Sequence, residues 1–463
     1  MLMLLVPGPR VPVAAKVMTT KCRSKLPRGA LLTPQPLLGA DPAQSAPSIY
    51  TSDTEKDDDM EWSPQQEAAL KAVQEWLDHG EDQIFRLFGF AGTGKTTLAK
   101  HLAEGVKGTV LFGAFTGKAS KVLQEKGCPA TTIHQMIYRS KQPSTAKVKE
   151  MEAELGKLLL IEDPTPIQKK KIEDYRKELE IERTNAARPM FDLNRESEVR
   201  SAALVVIDEC SMVDGVMGQD LLSFGVKVLV LGDPAQLPPV GGAGFFTDHK
   251  PDFLLDEIHR QAEGDPILDL ATLTRNKTLL DLGDYGTSRV IDLDETKPDD
   301  LKKIVMDADQ IIVGRNNTRH SYNRRMRKLH GRTSQFPEAG DKIVCRRNDH
   351  DTGLMNGAIF YVEDVGEVDE NFVVMTIRPD TGGDAIHVIA HAPFFLGETV
   401  PWWEMDGAQH FEYAYAVTCH TSQGSQWDNV VVFDESYCFK KDRHKWLYTA
   451  ITRAAKSVTV VKT

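Results

Sequence analysis

The chain of 463 residues is long enough for two or three domains, and its 41% hydrophobic and 27% charged content is that of a globular protein with packed cores. A formal net charge of −11 argues against a protein coated in basic surface, so any nucleic-acid contact must be confined to a groove. No apolar run has the length of a membrane span, and the six cysteines (Cys22, Cys128, Cys210, Cys345, Cys419, Cys438) form no C-x-x-C pair, which disfavours a zinc site or disulfide framework and suits a reducing cytoplasm.

Residues 1–59 are rich in Pro, Ala, Ser and Thr, lack apolar periodicity and end in the acidic run Glu55–Asp59, the composition of a disordered extension. The stretch up to Gly39 is basic and free of acids, as in an organelle transit peptide. The preferred reading is a flexible tail or a gene start placed too early, because organised sequence begins at Met60–Gln66. From Ser63, the Ser-Pro-Gln-Gln-Glu start and the apolar residues Ala69, Leu70, Val73 and Leu77 predict a capped helix.

Gly89–Thr97 reads Gly-Phe-Ala-Gly-Thr-Gly-Lys-Thr-Thr and fits the phosphate-loop pattern G-x-x-x-x-G-K-[ST]. A backbone that curls around a polyphosphate with its N–H groups inward needs residues without a Cβ, here Gly89, Gly92 and Gly94, with Ala91, Thr93 and Thr97 completing the cradle. Lys95 is expected to reach the β- and γ-phosphates and Thr96 to ligate Mg2+. The context fits, with a buried strand expected over Ile84–Phe88 and a helix over Thr97–Leu102. A strand at Thr109–Ala114, the turn Phe115–Lys118, a helix through Ala119–Leu123 and the Thr131–His134 signal follow, the alternation of a parallel α/β sheet.

Residues 139–200 break that rhythm with mixed Lys, Arg and Glu and one expected helix, Ile167–Glu182. This is an inserted subdomain, read either as a solvated helical arm or as a surface that meets a nucleic-acid fork. The sheet resumes at Ala203–Ile207 and delivers Asp208 and Glu209 at a strand's carboxyl end. Asp208 is the expected Mg2+ partner and Glu209 the base that orients the attacking water. After the strand Lys227–Leu231, Gln236 in Gly232–Pro239 is placed to sense the γ-phosphate.

Gln66, the phosphate loop, Thr116–Lys118, Thr132–His134, Asp208–Met212 and Gly232–Gln236 fall in the order seen in superfamily 1 helicases, and the chain most resembles the RecD/Dda branch. Leu255–Arg260 resembles motif IV, Ala416–Gln426 motif V and Tyr448–Ala454 motif VI. The resemblance implies two RecA-like parallel-sheet domains with ATP between them, the first made of 60–138 and 201–262, the second of 263–339 and 414–463. It further implies that Arg260 and Arg453 cross the cleft as arginine fingers and that Gln66 and Gln426 contact the nucleotide, Gln426 standing where related motifs often carry Glu. Strands Ile311–Gly314, Val430–Phe433 and Val458–Val461 are expected in the second domain. Short turn-separated strands between 340 and 413 suggest a small barrel, which by resemblance is an SH3-like insertion. Phe394, Phe395, Trp402 and Trp403 in it are read first as core residues and second as base-stacking platforms.

For the strand itself the expected contacts are Thr116, Lys118 and His134 in the first domain and His420 and Ser422 in the second. The function implied is an ATP- and Mg2+-dependent DNA helicase, working as a monomer, that moves 5′ to 3′ on single-stranded DNA and opens duplex or forked DNA. The alternative is a nucleic-acid-stimulated ATPase that remodels bound protein without unwinding.

Overall fold

The computed structural model describes residues 61–463 apart from 142–145, 162–163, 188–189, 240–241, 243, 258–263, 350–351, 401–404 and 406. The N-terminal extension, Arg260, Trp402 and Trp403 therefore lie outside the described residues.

The chain enters through helix Pro64–His79, whose start is fixed by a reciprocal cap: Ser63 Oγ accepts from Gln66 N, and Gln66 Oε1 accepts from Ser63 N. Ala69, Val73 and Trp76 on one face of this helix are buried against the first sheet. That sheet has six parallel strands in the order Ala130–Thr132, Val110–Ala114, Leu204–Asp208, Val228–Gly232, Ile84–Gly89 and Phe253–Leu255. Apart from Arg86 and the terminal Asp208, its inner strands are apolar runs because both faces are covered. Lys95–Gly105 and Gly117–Glu125 join the first helix on one side, and Ile133–Ile137 with Gly215–Leu222 close the other. Four of its loops, beginning at Gly89, Phe115, Glu209 and Asp233, therefore open at one edge, the carboxyl ends of the strands.

The insertion differs from its sequence reading. Tyr138–Lys141 and Met190–Leu193 form an antiparallel ribbon, and two helices, Ala146–Leu159 and Pro166–Ala187, stand between them. Only the second was expected, with shorter bounds. It begins at a cap in which Thr165 N donates to Gln168 Oε1.

A second six-stranded sheet runs Ala416–Thr418, Gln310–Val313, Trp427–Asp434, Ala454–Lys462, Ser288–Asp292 and Gly283–Tyr285. It is parallel except for its last pair. Helices Pro266–Arg275 and Arg443–Ile451 pack on it through Ile267, Leu270, Trp446 and Ile451. Three of its strands were expected; the other three are too short, or too mixed in composition, to stand out.

A five-stranded antiparallel sheet, in the order Ile386–His391, Phe372–Pro379, Ile359–Val368, Lys342–Cys345 and Phe411–Tyr413, is set between the strands of the second sheet in sequence. Irregular register between Val362 and Asp364 and between Val365 and Val368 bends its longest strand. Phe394 and Phe395 lie on the short helix Pro393–Leu396 and are buried, so they pack the module and present no stacking surface. The buried Asp341 ties the module to helix Asn316–Leu329, accepting from Arg327 Nη2 at 2.9 Å and Tyr415 Oη at 2.9 Å. No helix among the described residues is long and apolar enough to cross a membrane.

Candidate active site and nucleic-acid interface

At the phosphate loop, Gly92 and Gly94 take φ of 79° and 78°, a region that a side chain disfavours and that lets the loop curl. A Cβ on Gly94 would stand 2.8 Å from Gln66 Nε2, so the glycine also admits a close neighbour. Gln66 donates through that nitrogen to Thr93 O at 3.2 Å while its Oε1 caps the first helix. With both ends of its amide engaged and 4% exposed, Gln66 braces the loop in this structure.

Lys95 Nζ donates to Gly89 O at 2.8 Å and Phe90 O at 2.9 Å, which folds the ammonium over the mouth of the loop. Thr96 Oγ1 donates to Asp208 Oδ2 at 3.0 Å. These two oxygens, a hydroxyl and a carboxylate at a strand end, are the hard donor set that Mg2+ takes. Thr97 is exposed on the first turn of the helix. Asp208 Oδ1 accepts from Glu209 N at 2.8 Å, and Glu209 is held at φ 52°, a left-handed conformation that costs a non-glycine residue about 1–2 kcal/mol. Loss of water in the cleft raises the Glu209 carboxyl pKa; the Arg453 guanidinium opposes that shift and Asp208 adds to it.

Arg453 thus acts on Glu209 from the other sheet. Its guanidinium is 7% exposed and is aimed by Thr449 O at 3.1 Å, Ser425 O at 3.3 Å and Thr452 Oγ1 at 3.1 Å, with N–H donors to spare. Gln236 is buried with its Oε1 unpaired, an acceptor inside the site. Gln426, by contrast, is exposed and donates to Ala454 O at 3.3 Å.

The loop that carries Gln236 is fastened to the second half of the chain. Leu237 N donates to Thr449 Oγ1 at 2.8 Å, Gln423 Nε2 donates to Leu237 O at 2.9 Å, and the Leu237 side chain is 2% exposed within the second sheet's core. Asp233, 1% exposed, accepts from Tyr448 Oη at 2.6 Å. Arg275 lies over the Phe90 ring at 3.6 Å. Gln423, Tyr448, Thr449 and Arg275 were not singled out from sequence. The first three lie inside the motif stretches already recognised, whereas Arg275 carries no local signal.

The expected strand contacts fare unevenly. Thr116 caps helix Gly117–Glu125, its Oγ1 accepting from Ala119 N at 3.1 Å, and a Cβ on Gly424 of the second half would lie 3.1 Å from that oxygen. Thr116 and the motif V turn are therefore side by side. Lys118 is held between the Trp427 ring, at 4.9 Å, and Asp380, at 4.0 Å; burial lowers its pKa and Asp380 offsets part of that. Lys121 Nζ reaches Thr381 Oγ1 at 3.1 Å, and Met355 abuts Gly117, so the antiparallel module covers the start of this helix. His134 stands among Phe115, Tyr138 and Phe191, and His420 beside Phe439. Burial lowers both histidine pKa values, so each ring offers a hydrogen bond and not a charge at neutral pH. Ser422 is 0% exposed and spends its hydroxyl on Cys419 O at 2.7 Å, which turns it away from any strand.

Two family models match the chain in this order: an AAA domain over residues 61–286 and a UvrD-like helicase C-terminal domain over residues 413–461. The ATP-dependent RecD2 DNA helicase of Deinococcus radiodurans is 25% identical over 401 residues, which are 80% of this chain and 45% of that protein. The order of these matches makes the chain similar to superfamily 1 helicases of the RecD type. An uncharacterized protein of Acanthamoeba polyphaga mimivirus is 25% identical over 343 residues, 66% of this chain and 64% of that one. The chain thus spans about half to two thirds of the length of these two curated relatives. A crystal structure of Pif1 helicase from Candida albicans aligns with 87% of this chain and 94% of its own, at 18% identity and a TM-score of 0.46.

Proposed function

We propose that this protein is an ATP-dependent DNA helicase that moves along single-stranded DNA, 5′ to 3′, and separates duplex ahead of it. The observation that carries the reading is that one hydrolysis site draws on both parallel sheets. Lys95, Thr96, Asp208 and Glu209 belong to the first, and Arg453 and Tyr448 belong to the second, the Tyr448 hydroxyl lying 3.1 Å from Ala91 N in the phosphate loop. A nucleotide site split between two bodies is what a motor needs, because binding and release then change how the bodies sit. The likeness in sequence to the ATP-dependent RecD2 DNA helicase supports the same conclusion.

In this reading Lys95 leaves the loop carbonyls for the nucleotide's phosphates, and the loop's N–H groups cradle them. Thr96 and Asp208 would hold Mg2+, which supplies charge neutralisation at the phosphates. Glu209 orients the attacking water and takes its proton, so it works in the ionised form that Arg453 favours. Gln236 senses the terminal phosphate by donating from its amide nitrogen, which a flip of the amide turns into the place of the unpaired oxygen. Arg453 neutralises the charge that develops on the transferred group. Arg260 is proposed as a second finger on family resemblance alone.

Thr116, Lys118, His134 and His420 are proposed to meet the strand, with the antiparallel module, read as SH3-like, acting as a clamp over it. The ribbon-and-helix insertion is proposed to meet the fork. ATP turnover and strand displacement on tailed DNA substrates test this reading. DNA-stimulated turnover with displacement supports it, and turnover indifferent to added DNA would sink it.

A further inference from the structure

One N–H of the phosphate loop already has an acceptor, and that acceptor belongs to the other half of the molecule. Ala91 N lies 3.1 Å from Tyr448 Oη, and the same hydroxyl donates to Asp233 Oδ2 at 2.6 Å. Tyr448 is 2% exposed and packs in the core of the second sheet, so its ring is fixed by that body and its oxygen is delivered to the first. Asp233 is equally enclosed, and its other oxygen accepts from Ala235 N at 2.9 Å. The three groups form a chain from the phosphate loop through a phenol to the loop that bears Gln236.

A single N–H makes one good hydrogen bond. A phosphate oxygen is a charged acceptor and outcompetes a phenol oxygen for it. We propose that the Tyr448 hydroxyl is a nucleotide sensor: it competes with a nucleotide phosphate for Ala91 N–H and passes the outcome to Asp233 and the Gln236 loop. This rests on the reading of Gly89–Thr97 as a nucleotide site and adds to it the residue that reports occupancy across the cleft. When phosphate takes Ala91 N–H, the hydroxyl loses its donor and its hold on the first body is reduced to Asp233. The Asp233–Gln236 turn stays pinned to the second body at Leu237 by Thr449 and Gln423, so the change at Tyr448 is felt through Asp233 on a turn that both bodies hold. Tyr448 is a positioning residue, since it reaches the nucleotide only through groups that it competes for or holds.

The test is Tyr448→Phe, which keeps the packed ring and removes only the oxygen. Affinity for a fluorescent non-hydrolysable ATP analogue should tighten about three- to tenfold, the worth of one net hydrogen bond. DNA stimulation of ATP turnover should shrink in the same variant. The melting temperature, read separately, records the cost to Asp233 of losing a donor. A purely structural tyrosine would give weaker or unchanged affinity, and that result overturns the proposal. A second measurement leaves the fold alone: with 3-fluorotyrosine at position 448 the 19F resonance should move when the analogue saturates the site, and a stationary resonance overturns the proposal too. If the wild-type chain fails to bind the analogue, the nucleotide-site reading falls and takes the sensor with it. If the wild type binds, Lys95→Ala abolishes binding, and both Tyr448 readouts stay flat, only the sensor falls.

Discussion

The nucleotide cleft and the strand track hold their polar groups in different ways. In the cleft, Lys95, Thr96, Asp208, Glu209 and Asp233 sit at or just beyond the ends of buried parallel strands, and their partners are backbone groups, each other and the Tyr448 hydroxyl. In the track, Lys118 is claimed by Asp380 and Trp427, Met355 covers Gly117, and Ser422 points inward. The cleft is therefore assembled and needs only an exchange of hydrogen bonds to work. The proposed track is overlain by side chains of the antiparallel module, so on that proposal a strand displaces them to lie across helix Gly117–Glu125.

Four measurements break or sharpen that contrast. The largest effect belongs to the cleft: Lys95→Ala should lower ATP turnover by at least about 10²–10³-fold, the loss typical of a charge-stabilising donor, read in a steady-state phosphate-release assay. Glu209→Gln should bind nucleotide normally and lose about 10²–10⁴-fold in turnover. Because its pKa is raised, wild-type turnover should fall on acidification at a pH above the ordinary glutamate range, as the base becomes protonated; the Gln variant should lack that limb. A loss of nucleotide binding in this variant would instead assign Glu209 a structural role.

On the track, Asp380→Asn removes the competitor at Lys118 and should tighten single-stranded DNA binding about two- to fivefold at low salt. Lys118→Ala should reduce the slope of log K against log salt by about 0.7, the share of one phosphate contact. If neither changes in a fluorescence-anisotropy titration, Lys118 does not meet the strand.

One effect lies outside both regions and is read in stability alone. Lys342 is buried, donating to Asp309 O and Gln310 Oε1, and burial lowers its pKa from 10.5 to about 8. Below pH 8 the fold bears the full cost of an enclosed ammonium. Between about 8 and 10.5 the folded chain releases this proton while the unfolded chain keeps it, so stability rises with pH by at most about 3 kcal/mol. Denaturant unfolding of Lys342→Met should show that rise flattened.

How far the residues announced themselves depends on how local their chemistry is. The phosphate loop, the strand ending in Asp208 and the first parallel sheet were legible because each is a continuous run whose neighbours along the chain are its neighbours in space. Arg453 was legible through its motif. Gln66 was recognised as part of the loop's surroundings, but its bracing bond to Thr93 O at 3.2 Å was not legible, because a glutamine at a helix start serves equally as a cap and as a contact. Ser422 was misread because a motif gives no direction to a side chain. The sequence carries no sign of Asp380 and Met355 over helix Gly117–Glu125, since those contacts join segments more than two hundred residues apart. The first helix of the insertion escaped for a different reason: its mixed charge hides the apolar face that pairs with its neighbour.

The central claim is that this split cleft drives a motor along DNA. ATP turnover and strand displacement measured together on 5′-tailed and 3′-tailed duplexes test it most directly. The account predicts turnover stimulated by single-stranded DNA and displacement of the 5′-tailed duplex only, both lost in Lys95→Ala. Turnover with no displacement of either duplex would contradict the helicase, and displacement of the 3′-tailed duplex alone would contradict its direction.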